Sequence, residues 1–168
     1  MDGAIIGLIG TAVGALTGVL GTLAAARLGG AEQRRTQNDQ SERQGRATAY
    51  ASLVIESDRA YRVGYATHTG VLDHIAPLDR VDALRDFMVA AEAVYEAVSI
   101  TKLHGPDAIA RAADSLASAL STWHSEVGLL AEGQGEEQRA SEAIELYEEL
   151  EERFVTMGRQ MLSGAPMA

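Results

Sequence analysis

The chain contains no cysteine, which removes disulfides, thiolate catalysis and Cys-ligated zinc or iron–sulfur centres together and suits a reducing compartment. Basic residues are also in short supply, 14 Lys and Arg against 24 Asp and Glu, for a formal net charge of −10 over 168 residues. Phosphate binding along a nucleic acid needs clustered Lys and Arg, so no nucleic-acid partner is expected. Alternating strand patterns are missing too; beyond Ala47 the apolar period is helical throughout. Charge is absent altogether from one long stretch, Ala4 to Ala26.

That stretch, AIIGLIGTAVGALTGVLGTLAAA, is long enough at about 1.5 Å per residue to cross a hydrocarbon core of roughly 30 Å as one helix. A cleaved signal peptide would need a basic leading region, and only Met1, Asp2 and Gly3 precede the apolar run. The AAA near its end mimics a small-residue cleavage site, but an uncleaved anchor is the expectation. Arg27, Arg34, Arg35, Arg43 and Arg46 follow the span and none precedes it, which places the N-terminus outside and the larger domain in the cytoplasm, at the inner membrane. Its Ile, Leu and Val residues favour insertion by only about 3 to 5 kcal/mol in sum, and the interspersed Gly and Thr give some of this back.

The glycines are segregated. Placed on a helix, Gly3, Gly7, Gly10, Gly14, Gly18 and Gly21 fall within an arc of about 80°, with the large aliphatic residues on the opposite side. Gly10, Gly14 and Gly18 form a doubled GxxxG, the pattern of closely packed membrane helices. A homo-oligomer assembled through this face is expected, in contact with the lipid bilayer on the other.

Residues 1–30 are therefore read as a transmembrane anchor and 31–46 as a polar stalk. AEQRRTQNDQSERQGR lacks any large apolar residue and is a solvated segment of net charge near +1, either helical or disordered, with Gly45 as a weak point. Gly29 and Gly30 are a candidate hinge. Residues 47–168 read as an antiparallel up-down four-helix bundle, making the whole chain all-α.

The first bundle helix carries Tyr50, Val54, Ser57, Tyr61 and Gly64 or Tyr65 on one stripe, and a loop is expected from Thr69 to Ala76. Pro77 suits the first turn of the second helix, whose core stripe is Leu84, Met88, Ala91, Tyr95 and Val98. Gly105 ends it, with His104 expected to cap carbonyls, and Pro106 opens the third. Ile109, Ala113, Leu116, Leu120, Trp123, Val127 and Leu130 keep a 4-3 spacing there. After a break at Gly133 and Gly135, the fourth helix presents Ala140, Ala143, Tyr147, Leu150, Phe154, Met157 and Met161. Its outer face is acidic: eight Glu against three Arg between Glu136 and Arg159. Glu142, Glu145, Glu149 and Glu152 are a candidate docking face for a basic protein partner, beside the simpler reading of a solvated face.

Catalytic constellations are missing from the pattern. No HExxH, Glu-x-x-His pair, phosphate loop, dinucleotide fingerprint or nucleophile elbow occurs, so neither cofactor nor enzymatic activity is expected. His68 and His74 flank the first loop as a conceivable metal pair, though loop histidines are more commonly solvated. Trp123, Tyr95, Tyr147, Tyr61 and Phe154 could line a ligand cavity, yet aromatic residues at core spacing usually form core.

The layout resembles a loosely defined set of uncharacterised bacterial single-pass membrane proteins, frequent in high-GC genomes. They have a Gly/Ala-rich N-terminal span, an Arg/Gln-rich stalk, and segments like ATAYASLVIESDRAY (47–61) and SITKLHGPDAIARAADSLASAL (99–120). The resemblance implies a membrane-anchored helical protein and brings no activity or functional residue with it. The leading functional expectation is an anchored scaffold or interaction protein. A membrane-perturbing or pore-forming effector comes second, although the span offers only Thr11, Thr17 and Thr22 to a water-filled lumen. A bundle that senses a small ligand comes third.

Overall fold

The computed structural model describes the backbone of residues 2–73 and 77–163, and the side chains of residues 37–73 and 79–163. It is all-α, with helices α1 (Asp2–Leu72), α2 (Pro77–His104), α3 (Asp107–Ala131) and α4 (Glu137–Ser163). The chain divides into two units, 1–42 and 43–168. The glycine face, the 4–26 stretch, Gly29, Gly30 and His74 lie outside the residues whose side chains are described. Among the described residues no helix is long and apolar enough to cross a membrane.

The helix ends of unit 43–168 follow from local chemistry. Pro77 stands at the first position of α2, where its missing N–H costs nothing, and Asp79 then faces the positive end of the helix dipole. Lys102 occupies the last turn, where its positive charge opposes the negative end of the helix dipole. Pro106, extended at φ −68° and ψ 163°, starts α3. Past Glu132 the chain turns at Gly133 with φ +73°, a left-handed conformation natural only to glycine, and Gln134 and Gly135 both donate to the Leu129 carbonyl at 2.9 Å. A Cβ on Gly135 would lie 2.5 Å from the Leu130 nitrogen, so the turn closes only on glycine.

Neighbouring helices run in opposite directions. In the α1/α2 pair, Thr67 donates to the Ala83 carbonyl at 3.2 Å and Thr101 to that of Ala49 at 3.3 Å. In α2/α3, Phe87 meets Trp123 edge-on at 4.8 Å and Lys102 pairs with Asp114 at 2.8 Å. Across α1/α4, Tyr147 donates to the Ser57 carbonyl at 3.0 Å, and Tyr50 meets Phe154 edge-on at 6.1 Å. Trp123 and Tyr147, with ring centroids 5.7 Å apart, close α3 onto α4.

The bundle's centre is one aromatic layer. Trp123, fully buried, touches Phe87, Tyr61 and Tyr147. Gly64 makes room for it: a Cβ there would lie 2.6 Å from both Phe87 and Trp123 ring atoms. Of the two residues expected at this point of α1, Gly64 is buried and Tyr65 is half exposed. The expected stripes of the third and fourth helices are in the core, with Leu130, Leu150, Met157 and Met161 partly buried against it.

Other expectations are corrected. Met88 and Tyr95 are 45% and 37% exposed, and the core face of α2 consists of Phe87, Ala90, Ala91, Val94, Ala97, Val98 and Thr101. The 69–76 loop is shorter than expected because α1 continues as helix through Leu72. His68 is thereby held in α1 and buried, not displayed on a loop. Stalk residues 37–46 are helical. His104 supplies its carbonyl to the Arg46 Nε at 3.1 Å, and the Gly105 N–H returns to the Thr101 carbonyl. The Gly45 position lies against the His104 ring, 3.3 Å from its Nδ1 to a built Cβ.

Candidate functional site

Helical spacing puts Glu142, Glu145, Glu149 and Glu152 on the outer side of α4, because Ala140, Ala143, Tyr147 and Phe154 take the inner one. All four are exposed, and none forms an ion pair among the described residues. Glu142 accepts a hydrogen bond from Gln138 at 2.8 Å.

A second acidic group sits at the α1/α4 seam. Tyr61 donates to Glu148 at 2.6 Å, and this bond to the carboxylate, ahead of burial, pushes the phenol up to about 12. Burial, then the charges of Asp58 and Glu148, raise the Glu151 carboxyl. Asp58 keeps Arg62 at 2.7 Å. Burial likewise raises the Tyr147 phenol against the opposing effect of its bond to Ser57. Such groups can hold a proton, but none of them lines the unit's clefts.

Two of those clefts lie between helices and are open grooves. One, about 300 Å³ and apolar, runs between α1 and α4 over Tyr50, Val54, Ile55, Phe154, Val155 and Gly158. The other, about 190 Å³, lies between α3 and α4 with Arg111 and Arg153 on its walls.

The expected aromatic set separates. Trp123, Tyr147 and Tyr61 belong to the central layer with Phe87, Phe154 packs on Tyr50, and Tyr95 lies on the surface. The Trp123 indole N–H and the Ser57 hydroxyl are buried without a hydrogen-bond partner. His68 is similar, its Nε2 unpaired and its pKa lowered by burial against the opposing charge of Glu137. His124 packs edge-on against Phe87 at 5.1 Å. Among the described residues no three His, Asp or Glu side chains are disposed to hold a metal ion.

Sequence reasoning missed the Arg111/Arg153 cleft, since the two residues lie 42 positions apart in the chain and only the antiparallel α3/α4 pairing brings them to one groove. Its one available signal was that each occupies an otherwise small or acidic helix surface. No protein-family model, curated protein or solved structure matches the chain.

Proposed function

We propose that the protein is a membrane-anchored interaction protein: a helix over residues 4–26 holds it in the inner membrane and self-associates through Gly3, Gly7, Gly10, Gly14, Gly18 and Gly21. Its bundle, on the cytoplasmic side, offers the α4 acidic face to a basic protein. The exposed carboxylates Glu142, Glu145, Glu149 and Glu152, none of them in an ion pair among the described residues, carry the docking part of this reading. A face used only for solubility could equally pair its Glu with Arg, as occurs at Arg59–Glu56, at Arg85–Asp82 and, at the start of α4 itself, at Arg139–Glu136, whereas these four Glu form no such pair among the described residues. The anchor rests on the uncharged run and on the one-sided glycines.

Gly14→Ile tests the assembly. It places a β-branched side chain where a neighbouring backbone should approach, while Leu16→Ile exchanges apolar residues on the lipid side. Packing contacts of this type contribute about 1 to 2 kcal/mol each, so Gly14→Ile should weaken association roughly tenfold and leave insertion intact. Equal signals from wild type and both variants in a membrane two-hybrid assay would exclude self-association through glycine. A reporter fused after Ala168 that works only in the periplasm would reverse the topology.

A further inference from the structure

The antiparallel bundle gathers the start of α1's bundle segment, the α2–α3 turn and the end of α4 at one end of unit 43–168. Residues 43–50, 101–111 and 153–163 form that end. They contain six basic side chains, Arg43, Arg46, Lys102, Arg111, Arg153 and Arg159, and one carboxylate, Asp107. With Asp114, the ion-pair partner of Lys102, and with Glu151 and Glu152, which precede Arg153 within the stretch of α4 that lines the cleft there, the surplus is two positive charges. The rest of the unit is overwhelmingly acidic, so the bundle is a strong electrical dipole along its axis.

Two further observations sit at the same end. Leu103, 83% exposed, is on the last turn of α2, and Leu162, 49% exposed, is on the last turn of α4. Arg111 and Arg153 line the 190 Å³ cleft, whose remaining walls include Ala108, Ala112, Leu150 and Met157. Neither arginine forms an ion pair among the described residues. Guanidinium groups beside apolar walls suit a phosphate carried on a hydrocarbon-bearing group, and exposed leucines among cations suit the boundary between headgroups and acyl chains.

We propose that this basic end is a contact surface for an anionic lipid bilayer, with a headgroup phosphate taken up between Arg111 and Arg153. Leu103 and Leu162 enter the interface beside it. The acidic remainder of the bundle is repelled by the same surface, which leaves Glu142 and Glu145, the part of the α4 acidic face farther from Arg153, open to a protein. The contact rests on the membrane-anchored reading, which it deepens by giving the bundle a second attachment to the same surface.

The absence of cysteine allows a single label: Ser163→Cys in the full chain, carrying an environment-sensitive fluorophore at the basic end. The labelled chain is mixed with vesicles of phosphatidylcholine, with or without phosphatidylglycerol, both containing a headgroup-attached quencher. Flotation with neutral vesicles reports the anchor; the extra quenching caused by phosphatidylglycerol reports the proposed contact. Each basic residue near an anionic surface strengthens attachment about fivefold, so Arg111→Gln with Arg153→Gln should reduce the contact about 25-fold. Raising the salt should suppress it as well.

Quenching that is equal in the two vesicle types, or unchanged by the double substitution, overturns the contact even if the chain floats. A chain that floats only with phosphatidylglycerol, and loses this in the double variant, supports the contact while overturning the anchor. Abolition by inorganic phosphate at the same phosphate concentration would assign the cleft to a free anion and overturn the lipid as its occupant.

Discussion

Gly64 and Gly128 share a residue type and a helical setting, yet they call for opposite outcomes on substitution. At Gly64 an added methyl would stand 2.6 Å from ring atoms of Phe87 and Trp123, both fully buried and held by further rings. Rigid aromatic rings in a close-packed layer cannot retreat cheaply, so Gly64→Ala should destabilise unit 43–168 by about 1 to 3 kcal/mol. At Gly128 nothing lies within 4 Å of the same methyl. Gly128→Ala should stabilise by about 0.5 to 1 kcal/mol, since alanine loses less backbone entropy in a helix. Chemical denaturation of the two full-length variants checks the pair. Two shifts of the same sign would mean that the central layer is looser than its distances indicate. The importance of Gly64 was only half legible in the sequence: helical spacing admitted Gly64 or Tyr65, and the close approach of two rings from α2 and α3 decides between them.

At the scale of the helix, legibility depended on whether bulk and position coincide. In α3 every large apolar residue of the 4-3 pattern faces inward, and the expected stripe is the observed one. In α2 two stripes one residue apart satisfy the same spacing, and Met88 and Tyr95 drew the choice to the wrong one. The true face is built from Phe87 and Val94 with small alanines, and from Thr101, whose hydroxyl is satisfied by the Ala49 carbonyl across the helix pair. Buried Ser57 and His68 also break the apolar pattern of α1. The seam between α1 and α4 was invisible for a related reason, because Asp58, Glu148 and Glu151 read as ordinary exposed-face charges until the two helices meet. Glu151 there has a folded-state pKa raised above its ordinary 4.5, chiefly by burial. Its protonated form is the one the fold prefers, so its contribution is full below pH 4.5 and is lost as pH rises through the folded value. Near neutrality the ionised carboxylate, half-buried beside two others, opposes folding. Glu151→Gln should therefore stabilise by a few tenths to about 1 kcal/mol at neutral pH, screening by solvent keeping the gain small. Thermal melts of wild type and variant should converge as pH approaches 4. The difference between the two isolates this group from His68, whose lowered pKa works in the opposite direction, removing stability as pH falls below 6.5. A constant difference at all pH values would sink the assignment to Glu151 charge.

The molecule as a whole has two parts with different chemistry, and the division at residues 42 and 43 falls a few residues before the described side chains of α1 become buried. Among the described side chains, the first residues of α1 in the core are Ala49 and Tyr50; between Gln37 and Arg46 every residue is exposed or only partly covered. All the contacts that close the bundle, from Thr101–Ala49 to Tyr147–Ser57, fall within residues 43–168. That unit has its own contiguous core, with Trp123, Tyr147, Phe87 and Phe154 as its largest fully buried members. A segment of this length buries most of the surface its unfolded chain exposes, which is sufficient for independent folding. All its neighbouring helices are joined by short connections, so its contacts are local and folding should be fast and free of long-range strand pairing. Residues 43–168 alone should accordingly give a strongly helical circular dichroism spectrum and a single cooperative urea transition. Trp123 should report the same midpoint by fluorescence as the backbone does, because from α3 it touches rings of α1, α2 and α4. Its emission should move to longer wavelength only within that transition, as the buried indole meets water. Separate midpoints for the two probes, or a red-shifted indole before denaturant is added, would mean that the aromatic layer depends on residues 1–42 for its packing and that the boundary at 43 is not a folding boundary.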